Sequence, residues 1–322
     1  MKAISVSEFG DEKVLRYQDV LTPEPGPGEI RVRISAAGVN PVETYIRAGK
    51  YGSLPSLPYT PGNDAAGVVD SVGSDVQNIA VGQRVFIAAA KSTRNTGTYA
   101  EYVVCDADAA RPLPDEISFS QGAGLGTPGL AATYALFSRG RLTPGETVLI
   151  HGATGGVGTL ALQLARQAGA VVIGTSGSEK GLALLKELGA HQVFNHSDDG
   201  YLERIQKAVP DGPNLIIEML ANVNLAKDLS LLSVHGRVIV VGNKGSLDFN
   251  PRDLMTKDAT VGGILINNMP CGEFRKNMFR LSAALENGLR VIVDEELSLK
   301  DAPLAHEKVA EKKRTGKIVL LP

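Results

Sequence analysis

Apolar residues follow two rhythms along this 322-residue chain. From residue 1 to about 125 they come in short alternating runs. Ile30-Arg31-Val32-Arg33-Ile34 puts its apolar side chains on one face of a half-buried strand, and Gly67-Val68-Val69 and Arg84-Val85-Phe86-Ile87 predict further short strands. Gly/Pro-rich breaks at Pro23–Gly28 and Leu57–Gly62 separate them. The texture changes near Ser120. Gly129 to Phe137 predicts a helix, and Leu142-Thr143-Pro144-Gly145-Glu146 predicts a turn. Strands and helices then alternate. Val148–Ile150 precedes a helix from Thr159 to Ala168, and Val171–Ile173 precedes one from Gly181 to Leu188. Further strands are expected at Gln192–Phe194, Leu215–Ile217, Val238–Val241 and Val261–Ile266. Apolar runs this short suit strands buried on both faces, so the alternation predicts a doubly wound parallel sheet. After residue 267 helix and strand return, ending on Lys317-Ile318-Val319-Leu320-Leu321. The expected organisation is α/β, with a sheet domain at 125–266 inserted into a β-rich domain made of 1–124 and 267–322. The active site is expected between the two.

One segment carries specific chemistry. Val148-Leu149-Ile150 leads into His151-Gly152-Ala153-Thr154-Gly155-Gly156-Val157-Gly158 and then a helix whose Leu160, Leu162, Leu164 and Ala165 supply a buried face. Strand, glycine turn and helix start form the Rossmann-type recipe for a dinucleotide pyrophosphate. Glycines admit the phosphates close to the backbone, and first-turn N–H groups with the helix dipole stabilise their charge.

Composition narrows the rest. With 43% hydrophobic and 21% charged residues the chain has apolar content for a sizeable core. A net charge of −2 offers no broad attraction to nucleic acid or anionic membrane. Two cysteines, Cys105 and Cys271, exclude a disulfide framework and are expected as buried apolar thiols in a reducing compartment. Met1-Lys2-Ala3-Ile4-Ser5-Val6 lacks a signal-peptide pattern, and no run approaches the roughly 18 apolar residues of a spanning helix. The expected location is cytoplasmic.

Several motifs occur in a telling order: Ala37-Gly38-Val39-Asn40-Pro41-Val42-Glu43-Thr44-Tyr45-Ile46-Arg47, Pro58-Tyr59-Thr60-Pro61-Gly62-Asn63-Asp64-Ala65-Ala66-Gly67-Val68, and Gly97-Thr98-Tyr99-Ala100-Glu101-Tyr102. The glycine turn follows, then Glu218-Met219-Leu220-Ala221-Asn222-Val223-Asn224-Leu225, Gly236–Gly242 and Asn250-Pro251-Arg252-Asp253. Over nearly its whole length the chain resembles the medium-chain dehydrogenase/reductase superfamily, in its zinc-free quinone oxidoreductase branch and the zeta-crystallin group. The resemblance implies a GroES-like β-rich domain around the Rossmann-type domain, and NADPH:quinone oxidoreductase activity by one- or two-electron reduction.

Many relatives are zinc alcohol dehydrogenases, whose catalytic metal needs about three protein ligands. Here the segment of the first ligand reads Gly38-Val39-Asn40-Pro41, that of a ligating His-Glu pair reads Gly62-Asn63-Asp64, and two cysteines cannot supply a four-cysteine structural loop. No zinc is expected. The cofactor is expected to be NADPH. An NAD enzyme places an acid at the end of the second strand, where this chain has Gly174-Thr175-Ser176-Gly177-Ser178. Ser176 and Gly177 leave room for a 2′-phosphate, and Lys180 and His196 resemble phosphate-side residues of NADPH-dependent relatives. Glu179 is the counter-signal, expected to begin a helix and face water. The resemblance also places Asn224, Val241-Gly242-Asn243-Lys244 and Ile264-Leu265-Ile266 beside the cofactor and Tyr45 near the nicotinamide.

A quinone accepts electrons readily and becomes an oxyanion that hydrogen-bond donors stabilise, without a metal or strong acid. Asn40 and Tyr45, on the loop that resembles the family's substrate-side wall, are the candidate catalytic donors. The same scaffold also reduces enones and 2-alkenals, with tyrosine as a proton source. A non-catalytic role as a lens crystallin or in binding AU-rich RNA is a third reading, tested by salt-dependent binding to an AU-rich strand competed by NADPH. The resemblance further implies that the run Ala259–Ile266 pairs with its counterpart in a second copy, giving a homodimer or homotetramer; left open, such an edge is a pairing hazard.

Overall fold

The computed structural model describes residues 1–88, 96–311 and 314–322. The alternating runs at the start of the chain are strands: β1 (Lys2–Ser5), β2 (Arg16–Asp19), β3 (Glu29–Val39), β4 (Asp64–Val72), β5 (Arg84–Ile87), β6 (Tyr102–Asp106) and β7 (Ala110–Pro112). Helix α1 (Pro41–Arg47) follows β3, and α2 (Phe119–Ala123) follows β7. Pro41 suits the first turn of α1, where its missing N–H has no partner to lose.

The second part begins within α3 (Gly126–Thr133), which continues as a π-helical turn at Tyr134–Arg139. The chain then alternates through β8 (Thr147–Ile150), α4 (Gly156–Gln167), β9 (Val171–Ser176), α5 (Glu179–Glu187), β10 (Gln192–Asn195), α6 (Tyr201–Ala208), β11 (Leu215–Glu218), α7 (Ala221–Leu231), β12 (Arg237–Val240), α8 (Arg252–Met255), β13 (Thr260–Gly263) and α9 (Cys271–Glu286). All six strands are parallel, in the order β10-β9-β8-β11-β12-β13. This is the doubly wound Rossmann-type sheet that the alternation predicts. The order reverses between β8 and β11, the switch point where ligands bind such sheets. Leu149, Ile173, Ile216 and Val238 are fully buried in the core and pack with Leu225 and Leu229 of α7. The sixth strand stops at Gly263 rather than Ile266, which instead opens a 3-10 turn over Ile266–Asn268.

The return to the first unit comprises β14 (Val293–Ser298), α10 (Ala302–Val309) and β15 (Lys317–Leu321). They complete a sheet ordered β14-β15-β3-β4-β5-β7, with β6 also on β3. The first unit is Met1–Thr127 with Val291–Pro322, and the second is Pro128–Arg290. The return therefore falls at residue 291, not 267. Helix α9 stays with the second unit because it packs on the π-helical turn: Ser138 donates to Glu273 at 2.5 Å, Asn277 donates to Ser138 at 3.3 Å, and Arg280 lies over the Phe137 ring. Cys105 is buried as expected, but Cys271 is exposed, at the first residue of α9. Among the described residues no helix is long and apolar enough to cross a membrane.

Candidate active site and dinucleotide cradle

The glycine turn leaves β8 at His151 and enters α4 at Gly156. Gly152 has a positive φ of 55°, which glycine adopts without penalty. Its N–H donates to Thr175 Oγ1 at 3.1 Å, and the Ala153 N–H donates to Thr175 O at 2.9 Å. Gly152 and Ala153 thus tie the turn to β9, and Ala153 is sealed in the core. Gly155 and Gly156 are partly exposed, with nothing closer than 3.6 Å to where a Cβ on Gly155 would lie. A ligand phosphate can reach the backbone there. Gly158 serves packing instead: a Cβ on it would stand 2.5 Å from Ala153 Cα. Thr154 is buried and Val157 half-buried.

At the end of β9 no acid is present. Ser176 is buried, and Ser178 caps α5 by accepting the Gly181 N–H at 3.2 Å. Glu179 begins α5 and is exposed, as is Lys180 beside it. His196 follows β10 and lies against Gly177, where a Cβ would come within 2.8 Å of His196 Nε2. Its Nδ1 is 3.3 Å from Thr175 Oγ1. Two further segments are laced together across the ends of β11 and β12. The Ala221 N–H donates to Gly242 O at 3.0 Å, the Asn222 N–H to Asn243 Oδ1 at 3.1 Å, and the Lys244 N–H to Asn222 Oδ1 at 3.0 Å. Val241 continues β12 through a bond to Glu218 O, and Asn224 donates to Glu218 Oε1 at 3.2 Å. Ile264 bonds back to Val240 O, while Leu265 is exposed and extended.

In the first unit, Asn40 and Tyr45 separate in character. Tyr45 is 36% exposed on α1. Asn40 is buried at the helix N-terminus, and its amide is fully engaged. Its Nδ2 donates to Asp64 Oδ2 at 2.8 Å and Glu43 Oε1 at 3.2 Å, and its Oδ1 accepts from Lys317 Nζ at 2.7 Å. Both Nδ2 hydrogens of Asn40 are therefore engaged within this cluster. Glu43 is the hub that residue spacing did not reveal. It accepts from Asn40 N, Tyr99 Oη, Asn63 N and Asn63 Nδ2 at 2.7 to 3.2 Å. Burial pushes its carboxyl pKa up, against the pull of the Asn40 N–H and the Tyr99 hydroxyl. Lys317 is also buried and donates to Val39 O at 2.6 Å. Burial lowers its pKa, and Asp64 and Glu43 partly restore it. Tyr99 Oη sits 3.2 Å from His306 Nε2. With the tyrosine proton on Glu43, that ring nitrogen is the donor. Burial drives the His306 pKa down to about 3.

A glycine turn at the C-terminal ends of a parallel sheet, joined in one chain to a mostly antiparallel β unit, defines a dinucleotide-dependent dehydrogenase/reductase. Comparison with known families agrees. Residues 26–115 match the alcohol dehydrogenase GroES-like domain, and residues 156–285 match the zinc-binding dehydrogenase family. Mouse quinone oxidoreductase is 45% identical over 100% of this chain and 98% of its own length, and the human protein is 43% identical over the same shares. The crystal structure of Escherichia coli quinone oxidoreductase complexed with NADPH superposes with a TM-score of 0.87 at 30% identity, covering 100% of both chains. The chain belongs to the quinone oxidoreductase family of the medium-chain dehydrogenase/reductases.

Among the described residues, the segments that resemble the zinc-ligand positions of the second family do not offer a zinc donor set. Where ligands would stand are the amides Asn40 and Asn63 beside Asp64, and the Lys317 ammonium already supplies the positive charge. Asn40 turns its N–H groups, not its oxygen, toward the carboxylates. That donor set does not fit a catalytic zinc.

Proposed function

We propose that this chain is a metal-independent, NADPH-dependent quinone reductase. The observation that carries the cofactor choice is the end of β9, where Ser176 and Gly177 stand in place of an acid and the His196 ring lies across from Gly177. An NAD enzyme would hold a carboxylate there for the ribose 2′-hydroxyl. The remaining cradle comprises Gly155, Gly156, Val157 and Gly158 at the start of α4 for the pyrophosphate, with Gly152, Ala153 and Thr154 shaping the turn. Lys180 and His196 serve the 2′-phosphate, and Asn224, Val241–Lys244 and Ile264–Ile266 serve the nicotinamide half. Bound NADPH supplies hydride equivalents. Tyr45 is the donor that stabilises charge developing on the quinone oxygen, while Asn40 anchors the loop that carries it. The relatives' name, quinone oxidoreductase, supports the substrate class.

The test is oxidation of NADPH and NADH, each with an ortho-quinone, a para-quinone and a 2-alkenal. Rapid quinone turnover with NADPH alone is expected. Preference for the alkenal would keep the cradle and change the reaction; tight NADPH binding without turnover would favour a binding role. Tyr45→Phe is expected to lower kcat/KM for the quinone about tenfold, the value of one hydrogen bond to developing charge. Unchanged steady-state kinetics would remove the hydroxyl from the site. We also propose a cytosolic location and a homo-oligomer formed along β13. That edge strand is partly exposed, with Leu265 and Phe279 also open to solvent, at 45% and 65%.

A further inference from the structure

Three ionisable side chains that the reaction above does not use lie buried at the switch point of the parallel sheet. His151 follows β8, Glu218 ends β11, and Asp228 stands on α7. Their relative exposures are 3%, 0% and 0%. A ring nitrogen of His151 and one carboxyl oxygen from each acid lie within 4.8 Å of one another. His151 Nε2 is 2.8 Å from Asp228 Oδ1 and 3.8 Å from Glu218 Oε2. Glu218 Oε1 faces the other way. It accepts the Leu220 N–H and the Asn224 amide, so it holds the turn that is laced to Val241–Lys244. One oxygen on each acid, Glu218 Oε2 and Asp228 Oδ2, has no hydrogen-bond partner among the described residues.

An ionised carboxylate only accepts, so two buried carboxylates leave both oxygens unsatisfied and repelling. A single proton between the carboxyl groups gives one a donor and the other a partner. We propose that Glu218 holds this proton in the NADPH-ready state, positions Asn224 and the neighbouring turn, and so couples cofactor affinity to pH. The proposal rests on reading the glycine turn, Asn224 and Val241–Lys244 as the NADPH site.

The charges give the direction. A proton held on Glu218 leaves the cluster one negative charge fewer, beside the His151 ring that contacts both acids. Losing the Glu218 proton adds a buried negative charge beside His151, the residue that leads into the glycine turn read as receiving the phosphates. It also removes the donor that restrains Glu218 against Asp228. Burial raises the Glu218 carboxyl to about 7, with Asp228 adding to the rise and the His151 charge opposing it. Burial lowers the pKa of His151, but its bond to Asp228 and the charges of Asp228 and Glu218 more than compensate, so it is raised. Lys227 on α7 and Tyr201 on α6 also face the cluster; burial and both carboxylates push the Tyr201 phenol up, away from neutral pH. NADPH therefore binds best below the Glu218 titration and weakens as pH rises through it.

The test is the NADPH dissociation constant from nicotinamide fluorescence, for the wild type and Glu218→Gln. Glutamine keeps an oxygen for Leu220 and Asn224 and supplies a permanent N–H donor toward Asp228. The wild-type constant is expected to rise about tenfold between about pH 6 and 8.5, the effect of a one-unit pKa shift on binding. Glu218→Gln should bind about as tightly at the alkaline end as at the acid end. A side chain that merely supported the fold would lose affinity at every pH when changed. The 2′-phosphate titrates equally in both experiments, so the difference between the proteins is the readout. Parallel pH profiles overturn the proposal while leaving the NADPH site intact. Absence of NADPH binding at every pH overturns the site reading, and this proposal with it. Calorimetry of NADPH binding to the wild type at about pH 7.5, where the 2′-phosphate is largely ionised already, in buffers of different ionisation enthalpy, does not depend on the variant folding. Net proton uptake near neutral pH supports the proposal, and none overturns it.

Discussion

Lys317→Met is expected to destabilise the first unit by about 3 to 5 kcal/mol, the cost of removing one partner from a buried charge network. Methionine preserves much of the apolar stem but removes the ammonium that Val39 O and Asn40 Oδ1 accept from at 2.6 and 2.7 Å. Glu43 and Asp64 then remain buried with no countercharge from Lys317. Asn40 loses the contact that fixes its amide orientation, so its donation to Asp64 and Glu43 is weakened as well. The measurement is urea unfolding followed by a probe in the first unit, since the two units need not unfold together. Lys317→Arg should recover part of the loss, because it retains the charge in a larger head group. A midpoint unchanged in Lys317→Met would show that the network does not depend on the lysine charge.

Gly158→Val should abolish most cofactor affinity. Even its first added atom would lie 2.5 Å from Ala153 Cα, 2.7 Å from its carbonyl carbon and 2.8 Å from its oxygen. These are backbone atoms, so relief comes from moving α4 away from the glycine turn. Overpacking of this kind costs about 1 to 3 kcal/mol in stability. The cofactor suffers more, because displacement separates the N–H groups of the helix start from the turn that presents them. NADPH affinity is expected to fall about 100-fold, read by fluorescence titration beside a thermal melt. A variant with the melt lowered and affinity unchanged would place the pyrophosphate elsewhere.

The parallel sheet was legible because short apolar runs such as Leu215–Ile217 admit few alternatives once helical patterns separate them. The dinucleotide turn was legible because its residues are consecutive. The polar clusters were not, since their members are distant in sequence and individually ordinary. Glu218 ends an apolar run, Asp228 sits inside a helix, and only the pairing of β8 with β11 brings His151 to Glu218. Lys317 looks like a solvated lysine at a strand start, yet that strand lies inside a sheet. Asn40 was picked out by its loop, but its role depends on partners at Glu43, Asp64 and Lys317. The misplaced return at residue 267 has a similar cause. The amphipathic pattern of Cys271–Glu286 predicts a helix without saying which core its apolar face joins.

The position of β15 reverses the order of synthesis and completion. It pairs with Ala37–Val39 of β3, and Lys317 reaches Asn40 across 277 positions of sequence. As the chain leaves the ribosome, all of Pro128–Arg290 emerges before the strand that finishes the opening domain. Domains fold as units during synthesis. The dinucleotide half can therefore mature while the earlier half still exposes one edge of β3 and two carboxylates awaiting their cation. For this chain the vulnerable interval in biogenesis belongs to the segment made first, and it closes only when residue 317 and its neighbours have cleared the exit tunnel.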